Sequence, residues 1–191
     1  TKVSDSILYG VASSGKMFKF NLLNDSVEVT KTFSVQEFDN GFNPHKQLLK
    51  KNDSLLIGFN AEGGYGQKGN QFVYNILTDS IKVMNHIDYA NKGKDVISMT
   101  LASDGNIYGS MRLGGKYNGG VIFRINPLNN NFEKLYDLQR NTAGKLLEYD
   151  SLKFISTAKL GGNRFYGGIY KFDVESNTYA LSVEIDSTDI M

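Results

Sequence analysis

Short runs of alternating apolar and polar residues recur along the whole chain. In "GVIFRIN", residues 120–126, Phe123 and Ile125 fall on one side of an extended strand with Arg124 between them on the other. Read in this way, the alternation predicts strands over 8–12, 17–21, 27–33, 47–51, 55–60, 71–76, 81–87, 96–102, 106–112, 120–126, 132–138, 145–149, 152–158, 168–173 and 178–185. Between them lie turn signals such as Ser103-Asp104-Gly105 and Pro127-Leu128-Asn129-Asn130-Asn131. No helix longer than two turns is expected.

The runs are copies of one unit. "ILYGVASSGKMFKFN" (7–21), "LLIGFNAEGGYGQKGNQFVYN" (55–75), "NIYGSMRLGGKYNGGVIFRIN" (106–126) and "KFISTAKLGGNRFYGGIYKFD" (153–173) align. Their last residues, Asn21, Asn75, Asn126 and Asp173, are 54, 51 and 47 positions apart, near the period of propeller blades and too long for ankyrin or leucine-rich repeats. Phe18, Phe72, Phe123 and Tyr170 form one column, and Gly10, Gly58, Gly109 and Ser156 another. A small residue in the second column is expected to let a neighbouring sheet approach. The closing Asn or Asp is expected to make an Asx-turn. The double-glycine stretch is followed by a strand and not by a helix, so it reads as a hairpin connection rather than a phosphate cradle.

The third unit, "IYG…LGGKYNGGVIFRINPLNNNFEKLYDL", resembles the GloVer-type tandem repeat of choice-of-anchor proteins. The first unit departs from that pattern, with Ser13-Ser14-Gly15 in place of a double glycine, and the fourth has "FIS" where Tyr-Gly is expected. The resemblance covers nearly the whole chain. It implies a propeller-like β-repeat protein of the bacterial exterior, usually part of a larger polypeptide, and no defined activity. The fold expected is therefore all-β, a β-propeller of four-stranded antiparallel blades, with blades near 1–38, 39–90, 91–140 and 141–191. Only Thr1–Ser4 remains for the first strand of the first unit, and neither terminus supplies a clear closing strand. A segment of a larger ring is preferred to a closed four-bladed propeller, because open sheet edges invite pairing.

Composition narrows the function classes. Twenty-one Lys and Arg against 20 Asp and Glu leave a formal net charge of +1, so nothing points to nucleic acid. The absence of Cys excludes disulfides and thiolate metal sites, and the absence of Trp counts against tryptophan-bearing propeller repeats. Apolar runs are too short to span a bilayer. The chain begins at Thr1 without a recognisable leader and is read as a processed or trimmed product.

Candidate chemistry is sparse. His45 and His86 lack metal-ligand spacing and read as structural or surface residues, and there is no Gly-x-Ser-x-Gly. Glu62 and Asp104 could line one rim, where paired carboxylates would mark a hydrolase. Tyr65, Tyr117, Phe165 and Tyr166 sit in double-glycine loops near Arg112, Lys116 and Arg164, a set suited to a sugar- or protein-binding rim or else to packing over blade ends. An Asp-Ser pair followed by an apolar residue or Thr occurs six times, at Ser6, Ser26, Ser54, Ser80, Ser151 and Ser187. It resembles the O-glycan acceptor of exported proteins in one phylum of Gram-negative bacteria, and it also suits plain turn chemistry. The expectation is a noncatalytic, extracellular or cell-surface (or periplasmic) module with a protein or carbohydrate partner. It could serve a cell-envelope or outer-membrane complex and would need no cofactor, metal, nucleic acid or transmembrane segment. The alternative is a catalytic propeller, a glycan hydrolase or lyase, whose site is completed outside this chain.

Overall fold

A computed structural model describes residues 1–12, 14–34, 41–45, 47–139, 142–159 and 166–185. It divides into two compact units, Thr1–Ile87 and Asp88–Met191, each holding two antiparallel sheets.

In the first unit, β1 (Ile7–Ala12), β2 (Lys16–Asn21) and β3 (Ser26–Thr32) form a meander, extended by an isolated bridge between Lys2 and Leu8. The second sheet holds β4 (Phe42–Pro44), β5 (Leu49–Lys50), β6 (Leu55–Glu62), β7 (Asn70–Asn75) and β8 (Ser80–His86). Here the structure corrects the single strand expected over 47–51. Two short strands share one edge of β6, Phe42 and Pro44 opposite Glu62 and Asn60, and Leu49 and Lys50 opposite Ile57 and Leu56. Asn43 has a left-handed φ of 58° and Pro44 has no N–H to donate, so pairing breaks and restarts.

The second unit has two regular four-stranded sheets. One runs β9 (Lys94–Leu101), β10 (Ile107–Leu113), β11 (Val121–Ile125) and β12 (Phe132–Asp137). The other runs β13 (Leu146–Asp150), β14 (Lys153–Ala158), β15 (Gly168–Asp173) and β16 (Thr178–Glu184). A single helical turn, α1 (Tyr89–Lys92), is capped by Asp88, whose Oδ1 accepts from the Ala90 amide at 3.1 Å.

The aromatic column has a local cause. Gly10, Gly58 and Gly109 lie directly opposite Phe18, Phe72 and Phe123 on the neighbouring strand. A Cβ on Gly10 would stand 2.5 Å from Phe18 Cζ, and Gly58 and Gly109 are covered in the same way by Phe72 and Phe123. The small residue thus accommodates the ring paired with it across the strands, which corrects the expectation of a neighbouring sheet there. One residue before each aromatic, the register with the fourth strand shifts, between Met17 and Phe18, Gln71 and Phe72, Ile122 and Phe123, and Ile169 and Tyr170. Such a bulge adds twist at the same level of every repeat. Phe72, Phe123 and Tyr170 are buried as expected, while Phe18 is only half-buried.

Within each unit the two sheets pack face to face. Tyr9, Met17 and Phe33 of the first sheet meet Leu48, Leu56, Phe72 and Tyr74 of the second. Tyr108, Ile122 and Leu138 of the third meet Leu146, Phe154 and Phe172 of the fourth. Hydroxyls stitch the latter pair. Thr100 Oγ1 donates to Leu146 O and Ser110 Oγ to Gly144 O, both at 2.7 Å, while Ser98 Oγ accepts from Leu146 N at 3.0 Å.

Candidate functional site

Each sheet has two kinds of hairpin end, and the candidate residues divide between them. The turn after the third strand is the Asx-turn expected from sequence. Asn21, Asn75 and Asn126 accept through Oδ1 from the amides of Leu23, Leu77 and Leu128 at 2.9 Å, and Asp173 from Ser176 at 3.1 Å. In the third sheet this end opens into a polar cleft of about 280 Å³, lined by Asn106, Arg124, Asn126, Asn129, Asn131 and Glu133. Its groups are largely engaged with one another. Arg124 donates twice to Glu133, at 2.5 and 3.2 Å, and Asn129 accepts from the Asn131 amide. Sequence reading took this asparagine run for a turn alone, and the side-by-side placement of β11 and β12 was needed to gather it.

At the opposite end lie the glycine loops between the second and third strands. Gly63 and Gly69, and Gly114 and Gly120, close matching seven-residue frames, with the Gly69 amide donating to Gly63 O at 2.9 Å and the Gly120 amide to Gly114 O at 3.0 Å. Gly15, Gly69, Gly120 and Gly167 all have φ between 75° and 107°. Their carbonyls accept from the residue that follows each fourth strand, Phe33, Ile87, Leu138 and Ile185, at 2.7–3.2 Å. A side chain is strained at such φ, and at Gly167 a Cβ would stand 2.8 Å from Ala158 O.

A second latch holds the middle of the loop. His86 Nδ1 accepts from the Tyr65 amide at 3.1 Å, and Asp137 Oδ1 accepts from the Lys116 amide at 2.8 Å. His86 and Asp137 each end the fourth strand of their sheet. The latch also shows that Tyr65 corresponds to Lys116, each directly after its double glycine, with Tyr117 one position further on. His86 was expected to be structural or at the surface; it is both, an exposed ring that holds a loop.

Tyr65, Tyr117 and Tyr166 are 84%, 50% and 47% exposed. Tyr65 meets the His86 ring edge-on at 6.3 Å, and Lys116 Nζ lies 5.1 Å from the centre of the Tyr117 ring. Arg112 is paired with Asp95. Arg164 and Phe165 lie outside the described residues. Glu62 ends β6 and accepts from Asn43 Nδ2 at 3.3 Å, whereas Asp104 lies in a turn of the other unit. His45 is half-buried, its amide donating to Phe59 O at 2.8 Å. Among the described residues no three His, Asp or Glu side chains are grouped as a metal site would require.

The carboxylates with displaced titration all move the same way. Burial works to raise Asp104, Asp137 and Glu148, yet each lies below its ordinary value because hydrogen bonds outweigh it. Asp104 accepts from Asn106 and Tyr108, Asp137 from Lys134 and the Lys116 amide, and Glu148 from Ser103 and the Leu152 amide.

Of the five described Asp-Ser serines, Ser26, Ser80 and Ser151 are exposed and Ser6 and Ser54 are half-buried; Ser187 lies outside the described residues. Ser26 and Ser54 donate through Oγ to Asn24 and Asn52 at 2.7 and 3.2 Å. The turn chemistry and an accessible hydroxyl are therefore both present at Ser26.

Consecutive antiparallel meanders, each with its aromatic column and latched glycine loop, define a protein of the β-propeller class. Solved structures share the fold. The extracellular domain of BT4673 of B. thetaiotaomicron, described as a one component system, matches with a TM-score of 0.64 at 12% identity, over 97% of this chain and 22% of that one. The extracellular domain of BT3049 of the same organism, described as a hybrid two component system, matches at 0.60 and 14%, over 96% and 21%. A protein of Agrobacterium tumefaciens described as TolB matches at 0.63 and 11%, over 96% and 60%. The chain thus spans between about a fifth and three-fifths of the length of these structures, and at such identities the likeness is one of fold. The Gloeobacter/Verrucomicrobia repeat matches residues 1–146, more than half of the chain, and the chain belongs to that family. No curated protein sequence matches it.

Proposed function

We propose that this chain is a noncatalytic binding module of a secreted or outer-surface protein, its blades near 1–38, 39–90, 91–140 and 141–191 forming part of a larger ring. Its partner is a protein or a glycan. The rim of glycine loops, with Tyr65, Tyr117, Phe165 and Tyr166 beside Arg112, Lys116 and Arg164, meets that partner. The observation that carries this reading is the exposure of Tyr65 and Tyr117 on loops whose backbones are already fixed by two sets of hydrogen bonds. Rigid aromatic side chains on a fixed backbone lose little entropy when they bind. Asp104, Asp137 and Glu148 are held ionised by their hydrogen bonds, so none of the three is the raised carboxylic acid that a general acid requires. The extracellular placement of the BT4673 and BT3049 domains supports the location. Among the described residues no helix is long and apolar enough to cross a membrane.

The test is a screen of the 191-residue chain against immobilised cell-surface glycans and envelope proteins, repeated with Tyr117→Ala and Tyr166→Ala together. The double variant is expected to weaken a bound partner about tenfold or more while the melting temperature stays nearly constant. Binding that survives the double substitution unchanged removes the rim as the site. The Asp-Ser turns are proposed as O-glycan acceptors, with Ser26, Ser80 and Ser151 the most accessible and Ser6, Ser54 and Ser187 completing the set.

A further inference from the structure

The polar cleft at the Asx-turn end of the third sheet lies away from the glycine loop of that sheet, and its lining is peculiar to that repeat. Asn106 comes one position before the Ile107–Ile125 pair and so stands beside Asn126. The same position holds Ile7, Leu55 and Lys153 in the other three sheets, each paired with the residue that opens its Asx-turn, Asn21, Asn75 and Asp173. Asn131 stands where the other turns have Ser26, Ser80 and Thr178. Only the third repeat therefore brings four side-chain amides to one place, Asn106, Asn126, Asn129 and Asn131, with the Arg124–Glu133 pair beside them.

Their bonds to one another decide what they leave available. Asn126 and Asn129 each accept through Oδ1 from a backbone amide at 2.9 Å, those of Leu128 and Asn131. Only the oxygen of a carboxamide can accept, so the other end of each is an NH2 donor. Asn106 is held the other way round: its Nδ2 donates to Asp104 Oδ2 at 2.7 Å, and its Oδ1 remains as an acceptor. Glu133 receives both Arg124 bonds on Oε2, which leaves Oε1 as a second acceptor. The cleft thus sets donors and acceptors side by side, fixed by bonds at their far ends.

Charge narrows the ligand. Arg124 and Glu133 neutralise each other, and the other lining residues are uncharged. An anion would meet Glu133, with the Asp104 carboxylate behind Asn106, and a cation would meet Arg124. A neutral ligand whose groups both donate and accept suits the set, and hydroxyls have that property. The volume, about 280 Å³, lies at the small end of ligand sites and fits a ring or two rather than a protein surface. We propose that this cleft binds a neutral sugar through its hydroxyls. It is a second site, at the end of the third sheet opposite the glycine loop, and it does not depend on the rim.

Proton–nitrogen correlation spectra of the 191-residue chain test it, in titrations with D-glucose, D-galactose, D-mannose, maltose, cellobiose and lactose. At least one of these sugars is expected to shift the side-chain amide signals of Asn126, Asn129 and Asn131 saturably, with a Kd of about 1 mM or below. Asn129→Thr with Asn131→Ser installs the turn residues of the second sheet, where the Thr78 and Ser80 hydroxyls bond at 2.7 Å, so the turn is kept. Read at Asn126, this turn variant should bind the sugar about tenfold more weakly or worse. Tyr117→Ala with Tyr166→Ala should bind it as the parent does, which separates this site from the rim. No saturable shift with any of the sugars overturns the proposal, as does a turn variant that binds equally well or a sugar lost with the two tyrosines. Tighter binding of D-glucuronate or inorganic sulfate at the same amides also overturns it, and so does a protein partner lost in the turn variant when no sugar binds.

Discussion

Adding one methyl group at Gly109 tests whether the aromatic column is held by its glycines. Phe123 is fully buried and stacked on Phe132 with ring centroids 5.1 Å apart, so its ring has little room to retreat. A Cβ at residue 109 would overlap Phe123 Cζ and lie 2.5 Å from Ser98 O, a backbone atom fixed by the β9–β10 pairing. Overpacking of this kind costs about 1–3 kcal/mol. Alanine returns about 0.4–1 kcal/mol by restricting the unfolded chain. Gly109→Ala should therefore destabilise by about 1–2 kcal/mol net, and lower the melting temperature by about 2–8 °C for a chain of this size. Phe123→Ala should cost about 3–5 kcal/mol through the cavity it leaves. In the double variant the overlap with the ring disappears and the contact with Ser98 O remains, so the two costs should fall short of their sum by about 1 kcal/mol. Urea unfolding followed by tyrosine fluorescence reads all four proteins, since the chain has 11 Tyr and no Trp. Costs that add to within about 0.5 kcal/mol, or a Gly109→Ala protein as stable as the parent, would refute the account of the column.

Two further outcomes follow from the site chemistry. Glu148 lies lower in the folded chain than its ordinary value, so its contribution to stability is present above about pH 4.3 and is lost as the pH falls through the lowered folded value. Glu148→Gln should make the acid limb of stability against pH shallower, and an unchanged slope between about pH 5 and 2 would show that the bonds to Ser103 and Leu152 carry no linkage. If the Asp-Ser turns are acceptors, protein from its natural source should carry added sugar mass, with Ser26, Ser80 and Ser151 occupied first; an intact mass equal to the bare polypeptide rejects the modification.

The strands were legible because the alternation and the turns agree at every repeat. Phe123 with Ile125 marks the strand β11, the double glycine at Gly114 and Gly115 marks the hairpin that enters it, and the Asn126 Asx-turn marks the hairpin that leaves it. The strand Phe42–Pro44 was not legible, because a proline argues against a strand unless the edge position that excuses it is known. The bulges ahead of Phe18, Phe72, Phe123 and Tyr170 were also hidden, since an extra residue in a fourth strand leaves the pattern of the third unchanged. The glycine column was legible as a need for space and was assigned to the wrong neighbour: which atom fills the space depends on cross-strand register, and register is set by the fold.

The latch of the glycine loops shows why the candidate site was only partly readable. His86 and Asp137 look unrelated in sequence, one a lone histidine and the other a common surface acid. In the structure both stand at the end of a fourth strand and offer a lone pair to the amide after a double glycine, Tyr65 in one loop and Lys116 in the other. What the position requires is an acceptor of the right reach, and two residue types meet it. His86→Asp should therefore keep the loop fixed, because Asp137 already performs that task one repeat later. His86→Lys offers only donors and should release it. Amide exchange at Tyr65 measures the difference: protection should be retained in the Asp variant and fall in the Lys variant, with the Gly69 amide, bonded to Gly63 O, serving as an internal reference. Equal protection of Tyr65 in both variants would mean that the glycine frame alone fixes the loop. The exposed tyrosine would then owe its rigidity to Gly63 and Gly69 and nothing to the strand end beside it.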